Sequence, residues 1–205
     1  DEFRSMLEQT TFRTFFTDTV EAGLFNALAL AESSRKHHIR QNHGFLYGEK
    51  YSVFDVMRLC GWPAEQVPQN VGGYKLDTET GSLPIFIKYE ASQYGDRFLN
   101  PGEIEWFSKN NRSLKSNEFR WLLDGTERTP EWQNRHFVPI FIRRKAEEQE
   151  KSYYFVGSAV ALDDVRASVN PGEDGSESKV VISTLKLIKP VDPELYRHLT
   201  GKSAL

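Results

Sequence analysis

Apolar residues near the start of the chain recur at the spacing of a helix. The positions that share one face are Val20, Leu24, Leu28 and Ala31. Intervals of three and four residues place side chains on one side of an α-helix, and Asp18 followed by Glu21 is typical of a capping box. The pattern predicts a helix over residues 19–34, and the polar stretch "SSRKHHIRQNHG" after it predicts an exposed connector.

A capping pattern predicts a second, short helix. Ser52 with Asp55 would cap its first turn, and Gly61 would end it. The apolar residues that this helix would turn toward the core are Val53, Val56, Met57 and Cys60.

Strand patterns follow from residue 72 onward. The segments "GGYKLD" and "LPIFIKYE" flank "TETGS" and predict a hairpin. A second hairpin is predicted where "HFVPIFIRR" and "SYYFVGSAVAL" are joined by the charged "KAEEQEK". The apolar run "KVVISTLKLIKP" predicts a fifth strand, and "DPELYRHL" predicts a closing helix.

Two further helices are predicted between the hairpins. The segment "NPGEIEWF" has Asn100 in the N-cap position, Pro101 in the first helical position and acidic residues in the first turn. Ser116 would cap another helical turn that ends before Gly125.

The order of these elements predicts the fold class. Strands and helices do not alternate, so an antiparallel sheet of five or more strands is favoured over a doubly wound parallel sheet. We predict an α+β fold with an antiparallel, partly closed β-barrel-like sheet, short helices at its ends and an N-terminal helical lead. Residues 1–48 would form the helical lead and linker, and residues 49–205 the barrel-like domain.

Composition narrows the classes of protein. The 205 residues are 39% hydrophobic and 13% aromatic, which suffices for a core. A net charge of −3 excludes a uniformly basic protein that wraps nucleic acid but allows a local basic face.

Cys60 is the one cysteine, so no internal disulfide or cysteine-based zinc site can form, and a cytoplasmic location is expected. No apolar run approaches the ~20 residues that span a bilayer, and without a starting Met or a signal pattern the chain is interpreted as part of a longer protein.

Sequence motifs for catalysis are weak. There is no glycine-rich phosphate loop and no nucleophile elbow in the sequence. His37, His38 and His43 would suit a metal or nuclease site, but suitable partners are not nearby, and an exposed loop is the favoured interpretation. Asp77 and Glu90 lie at opposite ends of a predicted hairpin, whereas the carboxylates of a metal-dependent nuclease converge. We therefore predict no catalytic residues, no metal and no cofactor.

Several sequence blocks in one order carry a family resemblance. They are "FFTDTVEAGLFNALAL", "GEKYSVFDVMRLCGW", "GGYKLD" with "LPIFIKYE", "DRFLNPGEIEWFSKNNRSLKS", "YYFVGSAVAL" and "LKLIKPVDPELYRHLT". Together they resemble a bacterial domain family of unknown function at the C-terminus of superfamily-two DEAD/DEAH-type helicases, often in proteins with a phospholipase-D-like nuclease domain. The resemblance implies a role in DNA processing or restriction-type defence. By analogy it also implies a fold similar to pseudobarrel DNA readers. The chain departs from the family pattern at Phe54, where a basic residue is expected.

The densest positive charge lies in "SKNNRSLKSNEFRW". The cations that would neutralise phosphates are Lys109, Arg112, Lys115 and Arg120. The hydroxyls that would donate to phosphate oxygens are those of Ser108, Ser113 and Ser116. Asn110 and Asn111 carry short amides suited to a chain turn or to a base edge. The alternative is a solvated loop whose flanking aromatic residues lie in the core. A second basic cluster, Arg143 and Arg144, ends a predicted strand, where side chains can point into a groove.

These patterns leave two functional hypotheses. The first is a non-catalytic DNA-binding module that reads sequence or base modification for a helicase/nuclease restriction or antiviral defence system. Its partners would be double-stranded DNA and the helicase and nuclease domains, and Trp62 and Tyr74 would be candidates to stack on an extruded base. The cations that this hypothesis requires on one face are Lys109, Arg112, Lys115 and Arg143. The alternative is a domain that docks the helicase to a nuclease or other subunit, and it predicts an exposed apolar patch on the first helix.

Overall fold

The computed structural model describes residues 2–35, 43–63, 68–89, 95–124, 130–171 and 177–201. The chain divides into two compact units, Asp1–Arg40 and Gln41–Leu205. The domain boundary that the sequence suggested, between residues 48 and 49, stays a prediction.

The described residues of the first unit form two helices. α1 spans Glu2–Glu8 and α2 spans Thr10–Arg35. Phe3 of α1 packs edge-on against Phe16 of α2, with ring centroids 5.4 Å apart, so an aromatic contact joins the two helices. The large apolar side chains that stay exposed on this unit are those of Phe3, Met6, Phe15, Phe16, Val20, Leu24 and Phe25.

α2 begins earlier than residue 19, where the sequence predicted that the first helix would start. Asp18 and Glu21, interpreted as a capping box, lie inside α2. The Thr14 and Thr19 hydroxyls donate to main-chain carbonyls one turn back. Because these polar groups find partners within the helix, the threonine-rich stretch continues it rather than ending it.

The second unit contains strands and short helices. The strands are β1 (Lys50–Ser52), β2 (Ile85–Tyr89), β3 (Arg97–Asn100), β4 (Glu103–Phe107), β5 (Pro139–Arg144), β6 (Ser152–Pro171) and β7 (Glu177–Leu187). The helices are α3 (Val53–Leu59), α4 (Asn117–Leu122), α5 (Pro130–Arg135) and α6 (Pro193–Thr200), with 3-10 turns at Pro68–Asn70 and Lys145–Glu150.

Within the described residues, seven strands form one sheet in the order β2-β5-β6-β7-β4-β3, with β1 paired to β6. β6 pairs with β1 and β5 through its first part and with β7 through its second part. The sheet therefore curls into a half-barrel with short helices around it. This confirms the predicted α+β fold with a partly closed sheet.

The sheet is mixed rather than purely antiparallel, which corrects the prediction. β2 runs parallel to β5, while the other strand pairs are antiparallel. In the described ranges the first predicted hairpin consists of isolated bridges, Tyr74 with Ile85 and Asp77 with Ser82. β2 forms its continuous ladder with β5 instead, and local sequence pattern carries no information about that distant partner.

The predicted helix at "NPGEIEWF" is wrong. Asn100 ends β3, its Oδ1 accepts from the Gly102 N–H at 2.8 Å, and β4 begins at Glu103. In β4 the buried positions alternate with half-buried ones, and Ile104 and Trp106 point into the core. The asparagine therefore closes a turn between two antiparallel strands, and the segment after it has the period of a strand.

Other predicted elements are confirmed. The Asp55 N–H donates to Ser52 Oγ at 3.2 Å, and the Ser52 N–H donates to Asp55 Oδ2 at 3.0 Å, which completes the capping box of α3. The second predicted hairpin is the antiparallel pair of β5 and β6, and the fifth predicted strand is β7. The closing helix is α6, whose first turn is capped by Asp192.

The described part of the chain buries two hydrophobic clusters against the sheet. In β5, Ile140 and Ile142 belong to one cluster and Phe141 to the other, as the two-residue period of a strand requires when both faces are covered. Cys60 lies in the cluster of Phe141, and burial raises the pKa of its thiol to about 12. This cysteine is a core residue, as the sequence predicted.

Candidate functional site

The segment Ser108–Ser116 joins β4 to α4, and we call it the cationic loop. Its first residue is buried: the Ser108 N–H donates to the Val181 carbonyl at 2.8 Å, and the Val181 N–H donates to Ser108 Oγ at 2.8 Å. Further along, the Arg112 N–H donates to the Lys179 carbonyl at 3.2 Å. These bonds fix the loop to β7, so Ser108 holds the loop in place and its hydroxyl is not presented to solvent.

The Lys109 ammonium group turns inward. It donates to the carbonyls of Val71 at 2.8 Å and Tyr74 at 2.6 Å, and it lies 4.7 Å from the centre of the Tyr74 ring. Burial lowers the pKa of Lys109, and the neighbouring Arg112 lowers it further. This lysine therefore ties the loop to the Val71–Tyr74 turn.

A buried carboxylate continues this network. Glu118, near the start of α4, accepts from the Tyr74 hydroxyl at 3.0 Å, and Arg112 Nε lies 2.9 Å from the same oxygen. Burial raises the pKa of the Tyr74 phenol, and the negative charge of Glu118 raises it further. On the inner side of the loop, hydrogen bonds thus join Lys109, Tyr74 and Glu118, and an ion pair joins Glu118 to Arg112.

The outer end of the loop is a β-turn. The Ser116 N–H donates to the Ser113 carbonyl at 2.9 Å, and the Ser113 N–H donates back to Ser116 Oγ at 3.0 Å. Leu114 and Lys115 are its central residues, and both are exposed. Among the described residues, no hydrogen bond or ion pair engages the Lys115 ammonium group. Ser116 stands at the N-cap position as predicted, but its hydroxyl accepts from Ser113 and not from the helix.

The two asparagines form the turn before this apex. Asn111 has a positive φ of 59° and is exposed, a conformation that asparagine adopts more readily than most residues. The Asn110 side chain is half-buried, and its Oδ1 is buried without a hydrogen-bond partner among the described residues. Asn111 is therefore the amide that is presented to solvent.

An open groove of about 870 Å³ adjoins the cationic loop. It is lined by Tyr74, Lys75, Leu76, Thr78, Lys109, Arg112, Asn117, Glu118, Arg120, Trp121, Leu123 and Asp124. Among these described residues, four cationic side chains outnumber two carboxylates, so the groove carries an excess of positive charge.

The second predicted cationic cluster lies in a different environment. Arg143 is only 6% exposed, its guanidinium lies 4.6 Å from the centre of the Tyr153 ring, and its Nη2 lies 4.0 Å from Glu148 Oε1. Arg144 is half-buried, and its Nε has no hydrogen-bond partner among the described residues. Neither residue lines the groove. Of the four cations expected on one face, the structure places Lys109 and Arg112 in the groove and Lys115 at the adjoining apex.

The family model described as "Domain of unknown function (DUF3427)" matches residues 45–199. The chain belongs to this family. The search of curated proteins gives no match.

Several solved structures show similarity to this DUF3427 chain. The "Sulfur binding domain and SRA domain of ScoMcrA complexed with phosphorothioated DNA" has a TM-score of 0.41 and 16% identity, and the match covers 77% of this chain and 47% of that one. The "SUVH5 SRA- hemi methylated CG DNA complex" has a TM-score of 0.42 and 16% identity, with coverage of 73% and 92%. The "DNA modification-dependent restriction endonuclease AspBHI" has a TM-score of 0.43 and 19% identity, with coverage of 74% and 42%. This chain thus spans less than half of the first and third.

Two aromatic residues proposed for base stacking lie in the core. Trp62 is buried and donates from Nε1 to Ser82 Oγ at 2.7 Å, and Tyr74 is buried at the floor of the groove. Trp121, which the solvated-loop alternative placed in the core, is half-buried: it packs against the core cluster and also lines the groove. Lys75 had no predicted role, because the contacts that hold its turn beside the groove come from distant segments, such as the bridge between Tyr74 and Ile85.

The weaker catalytic candidates do not converge. The His43 ring stacks on Phe137 with centroids 3.9 Å apart, while His37, His38 and Glu90 lie outside the described residues. Asp77 accepts from the Thr80 N–H at 3.0 Å in a local turn. In the part of the chain that the structure describes, no three His, Cys, Asp or Glu side chains are grouped so that they could hold a metal. No helix in that part has the length and hydropathy to cross a membrane.

Proposed function

We propose that this chain is a non-catalytic module that binds double-stranded DNA through the cationic loop and the adjoining groove. The observation that carries the proposal is the juxtaposition of an exposed turn bearing Lys115 with a groove whose cationic residues outnumber its carboxylates. A chain with a net charge of −3 needs such a local positive surface to meet a polyanion.

The residues of the loop divide into two roles in this proposal. Asn111, Ser113 and Lys115 are exposed and make direct contacts to phosphates or base edges. The residues that hold the loop in its binding shape are Ser108, Lys109, Arg112 and Ser116. The outer part of the Arg112 guanidinium can also reach a phosphate, since its side chain is 40% exposed. Arg143 and Arg144 remain candidates for a second contact, which would require them to leave their present surroundings.

The biological context is part of the same proposal. The family resemblance supports a module that reads sequence or base modification for a helicase/nuclease restriction or antiviral defence system, in the cytoplasm and without a cofactor of its own. Its partners are then DNA and the helicase and nuclease domains of the same or another chain. The barrel-like domain begins near residue 49 and is preceded by the helical lead. This chain alone is expected neither to cleave DNA nor to hydrolyse ATP in the presence of Mg²⁺.

A protein-docking function is the second candidate, and the helical unit favours it. Seven large apolar side chains are exposed on its described residues, including Phe15, Leu24 and Phe25. Exposed apolar surface of this kind marks interaction sites. Under this alternative, a Leu24→Glu, Phe25→Glu double variant would lose binding to the helicase and nuclease domains proposed as its partners and keep its fold.

Fluorescence anisotropy with a labelled duplex across a salt series tests the DNA-binding proposal. Contact with about three or four phosphates gives a slope of log affinity against log salt of about −3 to −4. Lys115→Ala flattens that slope by about one unit on every sequence, and Arg112→Ala, Lys115→Ala flattens it further. Arg58→Ala, at an exposed cation of α3, is the matched control and leaves the slope unchanged. If the double variant bound as tightly as wild type at every salt concentration, the loop would not be the contact.

A further inference from the structure

The apex of the cationic loop presents an apolar side chain beside a cation. Leu114 and Lys115 are the central residues of the Ser113–Ser116 turn, and Leu114 is 42% exposed. The central residues of a β-turn project away from the chain that supports them. An exposed leucine therefore lies at the apex of the cationic loop, next to Lys115.

This leucine is held in position by a rigid frame. Besides the two bonds between Ser113 and Ser116, the Lys115 N–H donates to Ser113 Oγ at 3.2 Å. The turn leads directly into α4, whose Phe119 and Leu122 are fully buried. The apex is thus pre-organised, and binding does not have to order it first.

The surroundings of Leu114 point to a duplex as the surface it meets. Lys115 and the hydroxyl of Ser113 favour approach to phosphates, which would bring the leucine to a groove of the DNA. The apolar surface inside a duplex is the stack of bases, and leucine is among the side chains that proteins insert between base pairs.

We propose that Leu114 is an apolar wedge that enters a base-pair step of the bound duplex and partly unstacks it. The inference rests on the proposed DNA-binding function and deepens it, because it assigns the deformation of the DNA to one side chain. Flexible pyrimidine–purine steps such as TA would be preferred, since they unstack most easily.

The test uses duplexes of ~20 base pairs with one central TA step and 2-aminopurine as the purine of that step. Wild type should raise the 2-aminopurine fluorescence severalfold at saturation. Leu114→Ala should abolish the rise and weaken binding about tenfold, because it removes most of the apolar group that fills the opened step. Leu114→Met should keep both properties, and Lys115→Ala should weaken binding but keep the rise at saturation.

A duplex with a mismatch at the same step provides the second arm. Its step is already open, so Leu114→Ala should bind it within about twofold of wild type. If wild type binds the duplexes without any fluorescence rise and Leu114→Ala binds equally well, the wedge is wrong while the DNA-binding proposal stands. If wild type binds no duplex at all, both proposals are wrong.

Discussion

The cationic loop and the strand end formed by Arg143–Glu150 place their positive charges in different surroundings. At the strand end, Arg143 is covered by the Tyr153 ring, and Glu147, Glu148 and Glu150 follow it. At the loop, Lys115 stands on an exposed turn. A polyanion responds to charge that faces solvent, so the proposed DNA contact is assigned to the loop with its exposed Lys115, and not to the buried Arg143.

The two regions also differ in which elements their hydrogen bonds and ion pairs connect. At the strand end, Glu147 Oε1 accepts from Lys50 at 3.2 Å and from the Tyr154 hydroxyl at 3.1 Å, and it lies 3.2 Å from His198 Nε2. These contacts connect β1, β6 and α6. In the loop the network around Glu118 is confined to the inner side, and the apex lies outside it. The strand end therefore joins three elements of the fold, whereas the inner side of the loop supports an apex that is exposed to solvent.

The largest expected effect is on the strand end. Arg143→Ala should lower the free energy of unfolding by about 2 kcal/mol or more, since a desolvated cation–π contact and the packing of a buried side chain are both lost. Urea denaturation measures it. Lys88→Ala is the control, because Lys88 lies opposite Arg143 in the ladder with its side chain 49% exposed. It should change stability by no more than about 0.5 kcal/mol.

DNA binding by Arg143→Ala tests whether the strand end takes no part in the interface. The salt slope of DNA binding should be equal for Arg143→Ala and wild type when both are folded. A slope flatter by about one unit would make Arg143 a phosphate contact, and the strand end would then belong to the interface.

A smaller effect concerns the pH dependence of the strand end. Burial alone would raise the pKa of Glu147, but the hydrogen bonds from Lys50 and Tyr154 outweigh it, and the pKa lies below its ordinary value. Its contribution to stability is therefore present above the unfolded-state pKa of 4.5 and lost as the pH falls through the folded-state value. Glu147→Gln should cost about 1.5 kcal/mol at pH ~7, with the gap to wild type closing under acid.

Urea midpoints across a pH series would measure this effect. Glu148→Gln is the control, because the Glu148 side chain is 52% exposed. A constant gap between wild type and Glu147→Gln at every pH would show that the loss is one of packing and not of charge.

The smallest expected effect concerns the sequence preference of the loop. Asn111→Gly removes the exposed amide but keeps the positive φ that this turn requires. If the amide reads a base edge, discrimination among duplex sequences should fall by about 1 kcal/mol, while the salt slope stays the same. Competition binding over a duplex library measures the ranking of sequences, and an unaltered ranking in Asn111→Gly would limit the loop to phosphate contacts.

Local signals in the sequence were sufficient for some elements and misleading for others. The Ser52 and Asp55 capping box predicted α3, because both partners of that interaction lie within one turn. Asn100 and Pro101 look like a helix start, yet Asn100 closes a turn and the alternation of Ile104 and Trp106 marks a strand. The parallel pairing of β2 with β5 had no local signal, since its partners lie far apart in the chain.

The site shows the same division. Charge density in the sequence drew attention to the loop, and the short amides of Asn110 and Asn111 predicted a turn in it. The sequence did not reveal that Lys109 turns inward while Lys115 is exposed, because Lys109 donates to the carbonyls of Val71 and Tyr74 in a distant segment. The burial of Arg143 against Tyr153 likewise depends on a partner strand that its own segment does not reveal.

The length of β6 has a consequence for how this chain folds. One strand of 20 residues serves as partner to β1 and β5 in its first part and to β7 in its second. β7 in turn pairs with β4, so Glu103 meets Lys186 from 83 positions away. Such distant pairings make chain closure slow, in the range of about milliseconds to seconds. Because both halves of the sheet share β6, residues 41–205 are expected to unfold in one cooperative step. The amide hydrogens of β6 should then be the last to exchange with solvent.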